Sequence, residues 1–170
     1  MALRGFLQPS RSESSAPLPP AQPRAPGTRI GYDPLLLKRL RTDHQRILEL
    51  FTQTQELLTT HDYDGVKRKL GELRITLQDH LMTANVKFYV YVSRHLAGDA
   101  AKSAIINEYR REMLVNSRLL MDFLRTYSAA RLDDSFADTF QIELLVIGSA
   151  LVQRIEREQS ILFPLYQASY

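Results

Sequence analysis

The sequence contains no cysteine, which excludes disulfide frameworks, Cys-ligated zinc, iron–sulfur clusters and thiol catalysis. The same absence is compatible with a reducing, cytoplasmic setting. No uninterrupted apolar run approaches the roughly 20 residues of a membrane-spanning helix, so no membrane partner is expected. The stretch Met1 to Leu7 is too short for the apolar region of a signal peptide. An excess of one charge is missing too. The formal net charge of +3 arises in the first 30 residues, where Arg4, Arg11, Arg24 and Arg29 face one acid, Glu13. Setting these aside from 22 basic and 19 acidic residues leaves 18 of each. A neutral body without a basic stripe argues against direct nucleic-acid binding. Period-2 alternation long enough for a sheet does not occur either, nor does an internal repeat.

Residues 1–30 are rich in Pro, Ser, Ala and Arg and carry no periodic apolar pattern, so they are expected to form a disordered tail. Their Arg and Ser content is similar to that of a transit peptide, but six prolines break any amphipathic helix there. Residues 31–170 are long enough to bury a core. Asp33-Pro34 supplies a cap and a first helical residue. The stripe Leu37, Leu40, His44, Ile47, Phe51, Thr54, Leu58 follows in steps of three and four. Polar residues 59–65 read as a loop. A second stripe runs through Val66, Leu70, Leu73, Leu77, His80 and Ala84 towards Phe88 and Tyr91, closed by Gly98-Asp99. A third runs Tyr109, Met113, Asn116, Leu120, Phe123, Tyr127. After the turn at Asp133-Asp134-Ser135, the fourth runs Phe140, Leu144, Ile147, Leu151, Arg154 or Ile155, Glu158, Leu162. Short loops between long helices predict an all-α, antiparallel up-down-up-down four-helix bundle.

The informative residues are polar ones on the core face: His44, His80, Asn116, Arg154 and Glu158. Buried polar groups must find partners, and three arrangements are open. One is a structural hydrogen-bonded layer. Another is a metal site of His44, His80 and Glu158, a donor set suited to iron or zinc. The third is acid–base chemistry by a His/Glu pair, for which no nucleophile or substrate pocket is identifiable. Arg154 lies one turn before Glu158, where i,i+4 side chains meet. A direct Arg154–Glu158 salt bridge is therefore expected, which would neutralise the carboxylate and oppose a cation. Phe88, Tyr89 and Tyr91 read as core and rim, and Phe163-Pro164 as a terminal kink.

Two resemblances rest on these residues. Thr42-Asp43-His44, Gln78-Asp79-His80 and Glu158 through Pro164 resemble hemerythrin-like (HHE) domains. That resemblance implies a di-iron centre, with His44 and His80 as the histidines of helices 1 and 2 and Glu158 as the helix 4 carboxylate. The implied helix 2 Glu falls on Ala84, the helix 4 His on Arg154, and the helix 3 His near Tyr109 or Asn116. About half of the implied ligands are thus replaced. Residues 66 to 168 are also similar to the Rsd/AlgQ family of bacterial regulators, on Leu77-Gln78-Asp79-His80-Leu81, Phe88-Tyr89, Leu96-Ala97-Gly98, Asn116, Met121-Asp122-Phe123, and Ile147 through Leu151 with Arg154 and Glu158. This similarity implies binding of the primary sigma factor of RNA polymerase, with Asp79 as a contact residue. The family's Gly-His-Phe segment falls on Ala84-Asn85-Val86, and the Pro-rich tail has no counterpart in it.

The expectation from sequence is therefore a non-enzymatic, cytoplasmic regulator that sequesters a protein partner, with sigma factor first in line and no cofactor. In it, His44, His80, Asn116, Arg154 and Glu158 form a structural layer. The alternative is a hemerythrin-like protein binding iron or zinc, or oxygen, through His44, His80 and Glu158.

Overall fold

A computed structural model describes residues 24–168. Residues 1–23, most of the Pro-rich tail with Arg4, Arg11 and Glu13, lie outside the described residues. Helix α1 spans Leu36–Thr59 and buries the expected stripe from Leu40 through His44, Ile47, Phe51 and Thr54 to Leu58, while at its start Leu36 is buried and Leu37 only partly so. It starts two residues later than the Asp33-Pro34 signal predicts, although the Asp33 side chain still accepts the Leu35 amide at 2.9 Å. Helix α2 spans Tyr63–Thr83. It runs on without interruption through a π-helical segment, Ala84–Tyr89, into α3, Val90–His95. Asp99 caps α4, Ala100–Ala129, by accepting the Lys102 amide. Asp133 caps α5, Asp134–Arg157, which continues as a π-helical segment, Glu158–Leu162, and a 3-10 turn, Phe163–Leu165. The four rods, α1, α2 with α3, α4 and α5, make the all-α four-helix bundle.

The loop expected over 59–65 is shorter than that. Asp62 caps α2 by accepting the Gly65 amide at 2.8 Å, so Tyr63, Asp64 and Gly65 form its first turn. Gly65 belongs there because a Cβ would run into the Asp62 carboxylate and a Leu57 methyl. The turn itself is closed by His61 at a φ of 55°, a left-handed position that an L residue adopts only under local constraint. The ordered part also reaches back before residue 31. Arg24 and Gly31 form an isolated antiparallel bridge, and Ala25 is buried against the core.

The apolar core falls into two clusters. One, near the chain ends, gathers Leu36, Leu40, Phe88, Tyr91, Ile106 and Phe163. The other gathers Ile47, Leu70, Leu73, Leu77, Phe123 and Phe140. Along every rod but α4, the buried His, Arg and Glu residues lie between the two: His44 on α1, His80 on α2, and Arg154 with Glu158 on the α5 rod. Helix α1 packs most extensively on α2, α5 leans on α1, and α4 on α2, which leaves the α4–α5 seam the most open. The stretch Asp134–Leu165 is long and apolar enough to cross a membrane by length and composition alone. Here much of that apolarity faces outward, with Ile142, Leu145 and Val146 exposed.

Candidate metal centre

His44 sits between Leu40 and Ile47 on the inner stripe of α1, and His80 one turn before the α2 π-helical segment. Glu158 is the first residue of the second π-helical segment. A π turn holds one residue more than an α turn, and such segments recur at functional sites because they re-aim side chains. Two of them flank this cluster, one ending at Tyr89 and the other opening at Glu158. One donor atom from each of His44, His80 and Glu158 falls within 4.8 Å of the others, and all three residues are buried. The imidazole rings lie 4.6 Å apart between centroids. His44 Nε2 is 3.3 Å from Glu158 Oε2. Phe163 stacks on the His44 ring with the planes 3° apart and fixes its orientation.

The surrounding side chains orient both histidines. His44 Nδ1 meets the Gln159 amide nitrogen at 3.2 Å. With Nε2–H donated to Glu158, Nδ1 accepts from Gln159; with Nε2 on a metal, the Gln159 amide would have to turn its oxygen to Nδ1–H. His80 Nδ1 is 3.5 Å from Asp43 Oδ2. That is ion-pair distance, yet the geometry falls short of a hydrogen bond, and both atoms are buried with no hydrogen-bond partner among the described residues. A carboxylate behind the second nitrogen of a histidine is the usual support of a metal-ligating imidazole.

Burial raises the cost of ionising Glu158. The hydrogen bond from His44 and the charges of Arg154, His44 and His80 outweigh that and hold its carboxyl below the ordinary range. The Tyr89 hydroxyl donates to Glu158 Oε1 at 3.1 Å and accepts from Arg154 Nη2 at 2.9 Å. Its own proton is held firmly, by burial first and then by the Glu158 charge.

This geometry corrects two expectations. Arg154 does not reach Glu158 directly: among the described residues the guanidinium's hydrogen bond goes to Tyr89, whose hydroxyl stands between the two charges. The turn between them is regular, since the Glu158 amide still donates to the Arg154 carbonyl; the Tyr89 hydroxyl, reaching in from another rod, keeps the two side chains apart. Asn116 does not join the layer. It is exposed and reaches only the edge of a cavity of about 180 Å3, because α4 stands off from α5 there. The other four residues of the predicted layer are buried together. Asp79 is away from the cluster, its side chain 60% exposed and paired with Arg39 at 2.9 Å.

Three neighbours were not assigned to the polar layer by sequence reasoning. Asp43 was visible in the string Thr42-Asp43-His44, and Gln159 as the residue after Glu158. Tyr89 carries no periodic signal, since 3.6-residue spacing from His80 selects Ala84, Lys87 and Phe88; the extra residue of the π turn brings it in.

The residues fit one metal ion. His44, His80 and Glu158 form a compact two-histidine, one-carboxylate set, and Asp43 and Gln159 support it. They do not fit two ions, because among the described residues only these three donors converge and Arg154 beside them is a buried cation. A family model described as the hemerythrin HHE cation binding domain matches residues 35–166. No curated protein and no solved structure matches the chain. The matched span runs from the foot of α1 through the last 3-10 turn and includes every residue of the cluster, so the chain belongs to the hemerythrin HHE cation-binding domain family.

Proposed function

We propose that this protein is a hemerythrin-like binding protein that holds a single iron or zinc ion through His44, His80 and Glu158. The observation that carries the reading is the convergence of these three buried donors within 4.8 Å. Two histidines and a carboxylate leave coordination positions free, the chemistry by which such centres take up a small exogenous ligand. The chain's own residues bind and orient. Phe163 and Gln159 hold His44, Asp43 backs His80, and Tyr89 with His44 occupies both oxygens of an ionised Glu158. Burial with these partners and the charges around it keeps the carboxylate ionised, the form in which it can serve as a ligand. A metal competes with protons for its donors, so affinity should fall as pH falls. The test is titration of chelator-stripped protein with cobalt(II), read by its visible absorption. Saturation at one equivalent, lost in His80→Ala, is expected; a spectrum unchanged in His80→Ala would refute the site.

A second reading is a cytoplasmic regulator that sequesters a protein partner, the primary sigma factor of RNA polymerase being first in line. It is favoured by the position of Asp79, in solvent on the α1–α2 side and outside the inner cluster. Capture of purified sigma factor by the protein and loss of capture in Asp79→Ala would support it. Equal capture by both, or none, would end it.

A further inference from the structure

Helix α5 is apolar on more than its buried side. Phe140, Leu144 and Ile155 point into the core. Ile142, Leu145, Val146 and Val152, at spacings of three, four and seven, form a second stripe on the outer side. Their exposures are 64%, 49%, 65% and 39%. Only 11% of the most apolar stretch of the Asp134–Leu165 rod is buried, whereas a helix apolar all round is normally covered all round. The stripe continues onto α4, where Leu119 borders the same opening as Val146 and Val115 lies one turn before it. Both are more than half exposed. From Gln141 to Gln153 the one charged residue is Glu143.

Together these side chains expose roughly 500 Å2 of apolar surface, near the top of the range for the largest patch on a monomer. A lipid bilayer is disfavoured as the cover by charge. Helix α5 carries Asp134, Asp138, Glu143 and Glu156 and no lysine, and Arg157 is paired with Glu112, the reverse of the basic flank of a membrane-surface helix. A second copy of this chain fits better. A standard interface buries about 800 Å2 per partner, and roughly 500 Å2 of that being apolar matches the apolar share of homodimer interfaces. Self-association lays one nearly uncharged stripe against itself, so little charge is stripped of water. Ser149 and Ala150, small and exposed near the middle of the stripe, let two helices approach closely. We propose that this face is the two-fold interface of a homodimer, with α5 packing on α5 of the second copy and Val115 and Leu119 of each α4 at its margin. His44, His80 and Glu158 take no part in it, so the interface stands or falls separately from the metal centre.

The test is sedimentation equilibrium of the full-length protein at concentrations up to about 100 μM. A mass twice the 19.5 kDa of one chain is expected. Ile142→Glu puts a charge into the stripe of both copies and should weaken dimerisation at least hundredfold. Ile75→Glu, at an equally exposed apolar position on α2, should leave it unchanged. Because the chain has no cysteine, single-cysteine variants locate the interface independently. A short bismaleimide should join Ser149→Cys to its counterpart in the second copy and should not join Ile75→Cys. If Ile142→Glu fails to fold, the two cysteine variants still decide. A monomer throughout the concentration range, which would leave the face to a bilayer or to residues 1–23, would overturn the proposal. So would a dimer indifferent to Ile142→Glu, or linkage through Ile75→Cys and not through Ser149→Cys.

Discussion

Replacing Tyr89 with Phe removes one oxygen atom and tests the arrangement of the polar layer. The hydroxyl accepts from Arg154 at 2.9 Å and donates to Glu158 at 3.1 Å, and all three residues are buried. A hydrogen bond to a charged group contributes roughly 1.5–3 kcal/mol, and two are lost at once. Part of that loss is recovered, because the buried hydroxyl no longer has to be desolvated and Arg154 can move toward Glu158. The expected net cost is roughly 2–4 kcal/mol. At about 3 °C per kcal/mol for a domain of this size, Tm should fall by roughly 6–12 °C. Urea unfolding of the full chain measures the same quantity independently. Tyr127→Phe is the control, since its ring packs on Phe123 and Phe140 as Tyr89 packs on Phe88, but far from the layer. It should cost about 1 kcal/mol or less. A Tyr89→Phe shift no larger than that control would mean the hydroxyl does not bridge the two charges, and the account of the layer would fall.

Arg154→Met should cost no more than about 1–2 kcal/mol in urea unfolding, because Glu158 keeps Tyr89 and His44 and two guanidinium nitrogens were unpaired at the start. A direct buried ion pair would instead cost roughly 3–5 kcal/mol on losing one member, so the two arrangements separate cleanly. The depressed pKa of Glu158 gives stability that is present above the ordinary value of 4.5 and is lost as pH falls through the lower folded value. The stability gap between the native protein and Glu158→Gln should therefore be constant from pH 7 to about 5 and narrow below that, as thermal melts across the range would show; a gap that widens on acidification contradicts the sign. Gly65→Ala should destabilise by about 1–3 kcal/mol through collision with Asp62 and Leu57, whereas Gly71→Ala, with open space around it, should be neutral or slightly stabilising.

The bundle was legible because its helices are long and regular, and because caps and stripes agreed. Asp99 and the Asp133–Ser135 turn marked helix starts that the structure bears out, and His44, His80, Arg154 and Glu158 stood where Leu would be expected and are buried together. The departures share a cause: they depend on departures from the 3.6 period or on spaces between rods. Tyr89 enters the layer because the π-helical segment that it ends shifts the register, and Arg154 misses Glu158 because that hydroxyl stands between them. Asn116 has the spacing of a core residue but faces the open α4–α5 seam, and helix separation is not written in one helix's periodicity. Gly65 reads as a loop residue by type, yet tight approach to the Asp62 cap puts it in the first turn of α2. The order at Ala25 comes from burial against distant residues, a tertiary effect that local composition does not carry.

The most direct measurement is the metal content per chain, by elemental analysis of the full-length protein expressed with iron and zinc supplied and of its His44→Ala variant. One metal ion per chain, absent from the variant, is the expected result. No stoichiometric metal would contradict the mononuclear centre, and two irons per chain would mean that further ligands complete a dinuclear site that the three-donor set and Arg154 were taken to exclude.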